Sequence, residues 1–313
     1  MTAPFAVVFP GQGSQAVGML DAWGDHPEVR RTLDEASAAL GEDIAALIHA
    51  GPKEQLDLTT NTQPVMLTAG IACWRAFVAE TGATPVAAAG HSLGEYTALV
   101  AAGALSLADA LPLVRFRAQA MQEAVPVGAG AMYAILGLDG DAVRAGCAQA
   151  AAETGEAIEA VNFNDPKQTV IAGSKAGAEK AAEILKAAGA KRALPLPVSA
   201  PFHSSLMKPA AERLKDKLAT VQFQAAAFPV INNIDVAITG TADALRDALY
   251  RQAFGPVRWV ECIRAIQGRG VTTIVECGPG KVLAGLVKRI DPALASAAVH
   301  DPATLAQVKE LLA

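Results

Sequence analysis

Aromatic residues are scarce in this 313-residue chain, at 5%, and only four cysteines occur in it. Cys73, Cys147, Cys262 and Cys277 stand far apart with no CxxC pair, which excludes metal-ligand spacing and offers no disulfide framework. No basic segment precedes an apolar one in Met1-Thr2-Ala3-Pro4, so no secretory signal is expected there. Long apolar runs are also missing, and stretches such as Thr97 to Ala102 are too short to span a bilayer. A net charge of −5 excludes global attraction to nucleic acid or anionic lipid and leaves any anion site to be built locally. What is present is a hydrophobic fraction of 52%, much of it alanine, which suits helices packed closely on a sheet and argues against disorder. The expectation is a soluble protein of a reducing cytoplasm, with no metal site and no nucleic-acid or membrane partner.

Phe5-Ala6-Val7-Val8-Phe9 reads as a buried strand ending at Pro10-Gly11, and Pro85 to Ala89 as a second ending at Gly90. Helical patterns follow the first strand. Another runs from Leu93 to Ala102 and stops at Gly103, and the next from Leu107 to Val125 behind Ser106, a suitable N-cap. Pro112 inside it predicts an irregular first turn or a kink. The middle third has its own rhythm: strands at Ala131 to Leu138, Ala157 to Phe163, Gln168 to Ala172 and Arg192 to Pro197, with helices at Asp141 to Ala152 and Ala176 to Ala188. This βαββαβ order is the ferredoxin-like unit, for which about seventy residues suffice. Helices then read at Leu206 to Ala219 and Asp243 to Gln252, and strands at Pro229 to Ile234 and Thr272 to Cys277. The predicted fold is α/β: an α/β-hydrolase-like large domain over residues 1–127 and 199–313, with an inserted ferredoxin-like small subdomain over residues 128–198.

Gly90-His91-Ser92-Leu93-Gly94 has the G-x-S-x-G pattern between an apolar strand and a helix. Flanking glycines let the chain turn sharply and push the serine outward at a helix N-terminus, where the Leu93 N–H can face developing negative charge. The pattern alone also fits a serine that merely caps the helix. Five histidines are available as a base: His26, His49, His91, His203 and His300. His91 adjoins Ser92, but neighbouring side chains on a sharp turn point apart, and His26, His49 and His300 sit in polar, surface-like surroundings. His203, in the Pro-bounded loop Ser199 to Ser205, suits a base, although an ordinary loop histidine fits there too. Asp139, Asp141 and Asp165 lie between Ser92 and His203 without a distinctive setting, so a Ser-His pair oriented by amide or carbonyl groups fits better than a full triad.

Gly11 and Gly13 let the backbone of Gln12 approach a ligand, and its N–H could be a second oxyanion donor; the endings of a P-loop or dinucleotide loop are missing. Arg115 and Arg117 project roughly 200° apart on their helix, at roughly 100° per residue. Arg115 shares a solvated face with Gln119 and Gln122. Arg117 lies among Leu113, Val114, Ala120, Met121 and Ala124, where a guanidinium needs an anion, from a structural ion pair or a substrate.

Taken together, Phe9-Pro10-Gly11-Gln12-Gly13-Ser14-Gln15, Gly90 to Tyr96, Arg117, Pro201-Phe202-His203, Asn232 to Asp235 and Gly278 to Leu283 closely resemble the malonyl-CoA:acyl carrier protein transacylases, nearly end to end. The resemblance implies Ser92 as nucleophile, His203 as its base, Gln252 orienting the histidine, and backbone N–H groups of Gln12 and Leu93 as the oxyanion hole. It implies that Arg117 holds the malonyl carboxylate, that His91 and Asn162 lie close in support, and that Phe202 crowds out branched acyl groups. It further implies ping-pong transfer from malonyl-CoA to the phosphopantetheine thiol of an acidic acyl carrier protein, by a monomer with no tightly bound cofactor. Lys281, Lys288 and Arg289 form one candidate dock for that carrier, and Lys208, Arg213 and Lys215 another.

Overall fold

The computed structural model describes residues 3–198 and 200–313; Met1, Thr2 and Ser199, with the readings that rest on them, lie outside the described residues. Five strands, β1 (Phe5–Phe9), β2 (Ala87–Gly90), β7 (Val230–Ile231), β8 (Thr273–Cys277) and β9 (Ala295–Val299), form one parallel sheet in the order β7-β2-β1-β8-β9. Four more, β3 (Gly130–Leu136), β4 (Ile158–Asp165), β5 (Gln168–Ser174) and β6 (Arg192–Pro195), form an antiparallel sheet in the order β4-β5-β3-β6.

The central strands β1 and β2 are buried on both faces, which is why they are apolar throughout rather than alternating, and β8, equally buried, departs from this only at Thr273 and Glu276. Phe5, Val7 and Phe9 face the helices Thr59–Thr81 and Leu107–Glu123, while Ala6 and Val8 face Trp259–Gln267 and Val282–Ile290. β1 pairs with β2 and β8, and Phe9 sits opposite Gly90. The loops that leave β1 and β2 therefore emerge side by side at the carboxyl edge of the sheet, where open parallel sheets bind their ligands.

The βαββαβ expectation is met with the ferredoxin-like strand order. Helices Gly140–Thr154 and Lys175–Ala187 cover one face through Val143, Cys147, Ala181 and Leu185. The other face carries Met132, Ala134, Val161 and Val170, with Leu196, Val198 and Phe202 packed against it. Backbone bonds from Phe163 N–H to Val257 C=O (3.0 Å) and from Val257 N–H to Val161 C=O (2.8 Å) tie β4 to the large layer.

Three local details refine the sequence reading. The segment read as a strand from Pro229 to Ile234 pairs only at Val230–Ile231, because Asn232 and Asn233 leave the sheet to make other contacts. Pro112 neither ends nor opens its helix, which is continuous over Leu107–Glu123 behind the Ser106 cap, whose Oγ accepts from Asp109 N–H at 3.0 Å. Arg115 is not free in solvent: it forms a bidentate pair with Glu42, both bonds 2.8 Å. Among the described residues no helix is long and apolar enough to cross a membrane, and no group of three His, Cys, Asp or Glu stands in metal-binding range.

Candidate active site

The turn after β2 is compact because glycine stands where no Cβ could. A Cβ on Gly90 would lie 1.8 Å from the backbone of Gly94, and one on Gly94 would lie 2.1 Å from the Phe9 carbonyl oxygen. Strand and helix thus meet at closest approach, and Ser92 between them takes a φ of 54°, in the left-handed region that a side chain disfavours. Its peptide is held at both ends. The Ser92 N–H donates to Asn233 Oδ1 (2.8 Å), and the Ser92 carbonyl accepts from Gln252 Nε2 (2.9 Å).

Ser92 Oγ lies 2.6 Å from His203 Nε2, and the opposite ring nitrogen, Nδ1, lies 2.9 Å from the backbone carbonyl of Gln252. A carbonyl oxygen can only accept, so Nδ1 carries the proton and Nε2 is the free acceptor facing the serine hydroxyl. Burial, followed by the positive charge of Arg117, pushes the His203 imidazole down to about 3, so the ring is neutral at neutral pH. No carboxylate contacts this histidine among the described residues. The arrangement is the Ser-His pair oriented by a carbonyl that the chain order of acidic residues suggested. His203 itself has φ 66°, the second strained residue of the pair.

Arg117 is 2% exposed and reaches the same point. Its guanidinium donates to Gln63 Oε1 (2.9 Å), Gln252 Oε1 (3.2 Å) and Ser92 Oγ (3.3 Å), and its Cζ lies 5.5 Å from the centre of the Tyr96 ring. These partners are neutral, and among the described residues Arg117 forms no ion pair. Burial lowers its pKa, while Tyr96 and Glu95 oppose that shift.

Gln12, Leu93, Ser92, Arg117, Phe202, His203, His91 and Asn162 line a single cavity of about 130 Å³, so every site residue named from the sequence except Gln252 borders it. Gln252 is fully buried behind Ser92 and Arg117. Met121, Met132, Leu196 and Val198 supply apolar walls. The space equals about four water molecules at ~30 Å³ each, room for a short acyl group. A groove of about 330 Å³ shares Gln12, His91, Asn162 and Leu196 with it and continues to Val282 and Arg289.

His91 points away from Ser92, as adjacent residues on a turn should. Its Nε2 bonds Asn164 Oδ1 (2.8 Å), its ring packs 5.4 Å from Trp259, and burial lowers its pKa. Asn162 reaches the cavity from β4 with a buried Oδ1 that finds no protein partner among the described residues. Of the remaining histidines, His49 is exposed, whereas His26 and His300 are partly buried rather than at the surface; none borders the cavity.

Sequence reasoning missed Gln63, Asn164, Asn233 and Glu95 as site partners. Asn164 follows Asn162 by two in a strand, so alternation carried that signal. Gln63 closes the polar run Thr59-Thr60-Asn61-Thr62 at the start of its helix, so its burial carries no sequence signal of its own. The four cysteines are buried and unbridged, and burial raises the thiols of Cys73 and Cys147 to about 12, so neither is a reactive thiolate.

Residues 6–306 match the acyl transferase domain family. The malonyl CoA-acyl carrier protein transacylase of Escherichia coli is 51% identical over 308 residues, covering 98% of this chain and 99% of that protein. The crystal structure of an acyl-carrier-protein S-malonyltransferase from Burkholderia pseudomallei aligns with TM-score 0.96 and 65% identity over 98% of this chain and 99% of that one. A type II polyketide synthase acyl carrier protein in complex with its malonyl-transacylase contains a chain 49% identical, at TM-score 0.96, covering 99% of this chain and all of that one, 100%. The chain belongs to the malonyl-CoA:acyl carrier protein transacylase family and is an acyltransferase.

Proposed function

We propose that this enzyme moves a malonyl group from malonyl-CoA to the phosphopantetheine thiol of an acyl carrier protein through an ester on Ser92, supplying the extender unit of fatty acid synthesis. The observation that carries the reading is Arg117. A buried guanidinium with only neutral partners, 3.3 Å from the hydroxyl that would carry the acyl group, suits an acyl chain ending in a carboxylate. An acetyl group would leave that charge buried without its anion, and is expected to react poorly.

In this reading Ser92 Oγ attacks the thioester carbonyl as its proton passes to Nε2 of His203, and the Gln252 carbonyl steadies the imidazolium through Nδ1–H. The Gln12 and Leu93 N–H groups take the oxyanion. The C–S bond then breaks, and the CoA sulfur leaves with the proton from Nε2. The carrier thiol next gives its proton to Nε2 and attacks the ester carbonyl, and Ser92 Oγ departs and recovers the proton. His91 and Asn162 line the approach, and Phe202 restricts the acyl group to an unbranched one. The division into residues 1–127 with 199–313 and an inserted unit at 128–198 belongs to the same reading, with the inserted sheet walling the cavity through Met132. The solved complex of a relative with its acyl carrier protein supports a carrier as acceptor.

Intact mass after brief mixing with malonyl-CoA tests this. Wild type should gain a malonyl increment, Ser92→Ala none, and Arg117→Ala should lose malonylation while gaining relatively in acetylation from acetyl-CoA. An unmodified wild type under trapping conditions, or malonyl preference surviving in Arg117→Ala, would overturn the reading; rapid release of free malonate instead of transfer would mark a hydrolase.

A further inference from the structure

Glu95 stands one helical turn beyond Ser92, is 2% exposed, and takes no part in the chemistry described above. A buried carboxylate requires hydrogen-bond partners, and those of Glu95 form a pattern. A single oxygen, Oε2, accepts from Asn233 N–H (2.8 Å) and from Gln252 Nε2 (3.0 Å). These are the residues whose side chains grip Ser92: Asn233 Oδ1 holds its N–H and Gln252 Nε2 holds its carbonyl.

The contact with Gln252 also fixes an orientation. An amide side chain presents donors on one side and an acceptor on the other. With Nε2 committed to Glu95 and the Ser92 carbonyl, Oε1 is turned to Arg117, from which it accepts at 3.2 Å. Reversing the amide would set N–H donors against a guanidinium, which has no acceptor. Asn233 Nδ2 is committed to the Gly90 carbonyl at 2.7 Å, which likewise leaves its Oδ1 to Ser92.

We propose that Glu95 is a positioning residue for acyl transfer: its Oε2, accepting from Asn233 and Gln252 together, locks Ser92 in its left-handed conformation and turns the Gln252 amide so that Arg117 faces the acyl group. The selectivity half of this proposal rests on the malonyl-transfer reading; the Ser92 half does not. Burial pushes the carboxyl up to about 7, against the pull of Asn233, Gln252 and Arg117. Both protonation states keep an acceptor at Oε2, so the lock does not depend on the charge.

Three variants separate acceptor, charge and bulk. Glu95→Gln retains an acceptor at the same reach without the charge. Glu95→Asp retains the charge but withdraws the acceptor by one methylene. Glu95→Leu keeps apolar bulk and offers no acceptor. Ser92 reactivity is read by the rate of labelling with a fluorophosphonate, which needs no acyl-CoA, and selectivity by the ratio of malonyl to acetyl loading; urea unfolding establishes that each variant is folded. We expect Glu95→Leu and Glu95→Asp to label about 10- to 100-fold more slowly and to lose malonyl selectivity by a similar factor, the scale of a buried hydrogen-bond partner left unpaired. Glu95→Gln should stay within about threefold of wild type on both. Wild-type labelling and selectivity in Glu95→Asp would overturn the proposal even if Glu95→Leu does not fold, and so would Glu95→Gln failing alongside Glu95→Asp. A wild type that labels with the fluorophosphonate but never takes malonyl would sink the malonyl reading and leave the Ser92 half standing.

Discussion

At Nε2 of His203, the burial that removes water also removes the proton. The ring is enclosed by protein, with the guanidinium of Arg117 close by, and both effects oppose the charged imidazolium and hold its pKa at about 3. The sign follows directly: because the value is lowered, base is lost only when pH falls through that low value, not through the usual imidazole range. Malonylation of Ser92 measured by rapid quench should therefore stay flat from about pH 7.5 to about 5.5, where a histidine titrating near 6.5 would lose about tenfold one unit below its pKa. A decline centred near 6.5 would show that the base is not the buried, neutral ring of the resting site. Ser92 and Arg117 stand out in the sequence because each is chemically conspicuous, a serine in a glycine turn and a cation on an apolar stripe. His203 stands out as a candidate base through the family resemblance more than through its spacing. Glu95 and Asn233 could not be assigned, since their meaning lies in partners 138 and 157 positions apart along the chain. Polar residues of a buried network look like surface residues until the fold encloses them.

The strand-turn-helix element converts residue identity into geometry. Gly94 leaves no room for a Cβ, which would fall 2.1 Å from a backbone oxygen of the neighbouring strand. A backbone atom cannot swing aside as a side chain can, so Gly94→Ala must push the helix Gly94–Ala101 off β1. The expected cost is about 3 kcal/mol in urea unfolding, with Ser92 acylation falling further than the stability loss accounts for, because the serine moves with the helix. Unchanged stability together with unchanged acylation would show that the turn tolerates the displacement. Elements of this kind were legible because strand, glycine and helix follow one another within a few residues; the βαββαβ unit was legible for the same reason. Others carried less signal. Thr59–Thr81 is buried nearly all round and shows no amphipathic face, and β9 is the small-residue stretch Ala-Ser-Ala-Ala-Val, with no strand pattern. The helix Trp259–Gln267 and the final helix Pro302–Leu312 were also not read, although the second opens on a full capping box at Asp301 and Thr304.

For the whole molecule, the remaining question is how a carrier that the family resemblance implies to be acidic approaches a chain whose own charge is −5. Attraction has to come from a local basic surface placed where a phosphopantetheine arm can reach Ser92. Of the two clusters named from sequence, the one around the helix Lys208–Ala219 is partly engaged within the protein: Arg213 pairs with Glu123 at 2.8 Å, and the Lys215 ammonium lies 5.4 Å from the Tyr250 ring centre. The other lies at the end of the groove that shares walls with the Ser92 cavity. Arg289 borders that groove while its Nε donates to the buried Asp165 at 2.6 Å, and Lys281 and Lys288 stand exposed on the same segment. Arg289 is unsuited to substitution, since the buried Asp165 would lose its charged partner and keep only the Lys167 N–H. The lysines are suited to it. Reversing both, Lys281→Glu with Lys288→Glu, should raise KM for the carrier protein about tenfold at low salt, less as ionic strength rises, and leave transfer to free pantetheine unchanged. Reversing Lys208 and Lys215 instead should leave both acceptors unaffected. If the second pair raises the carrier KM and the first does not, the carrier docks on the Lys208–Ala219 helix and its arm must reach Ser92 by a route other than this groove.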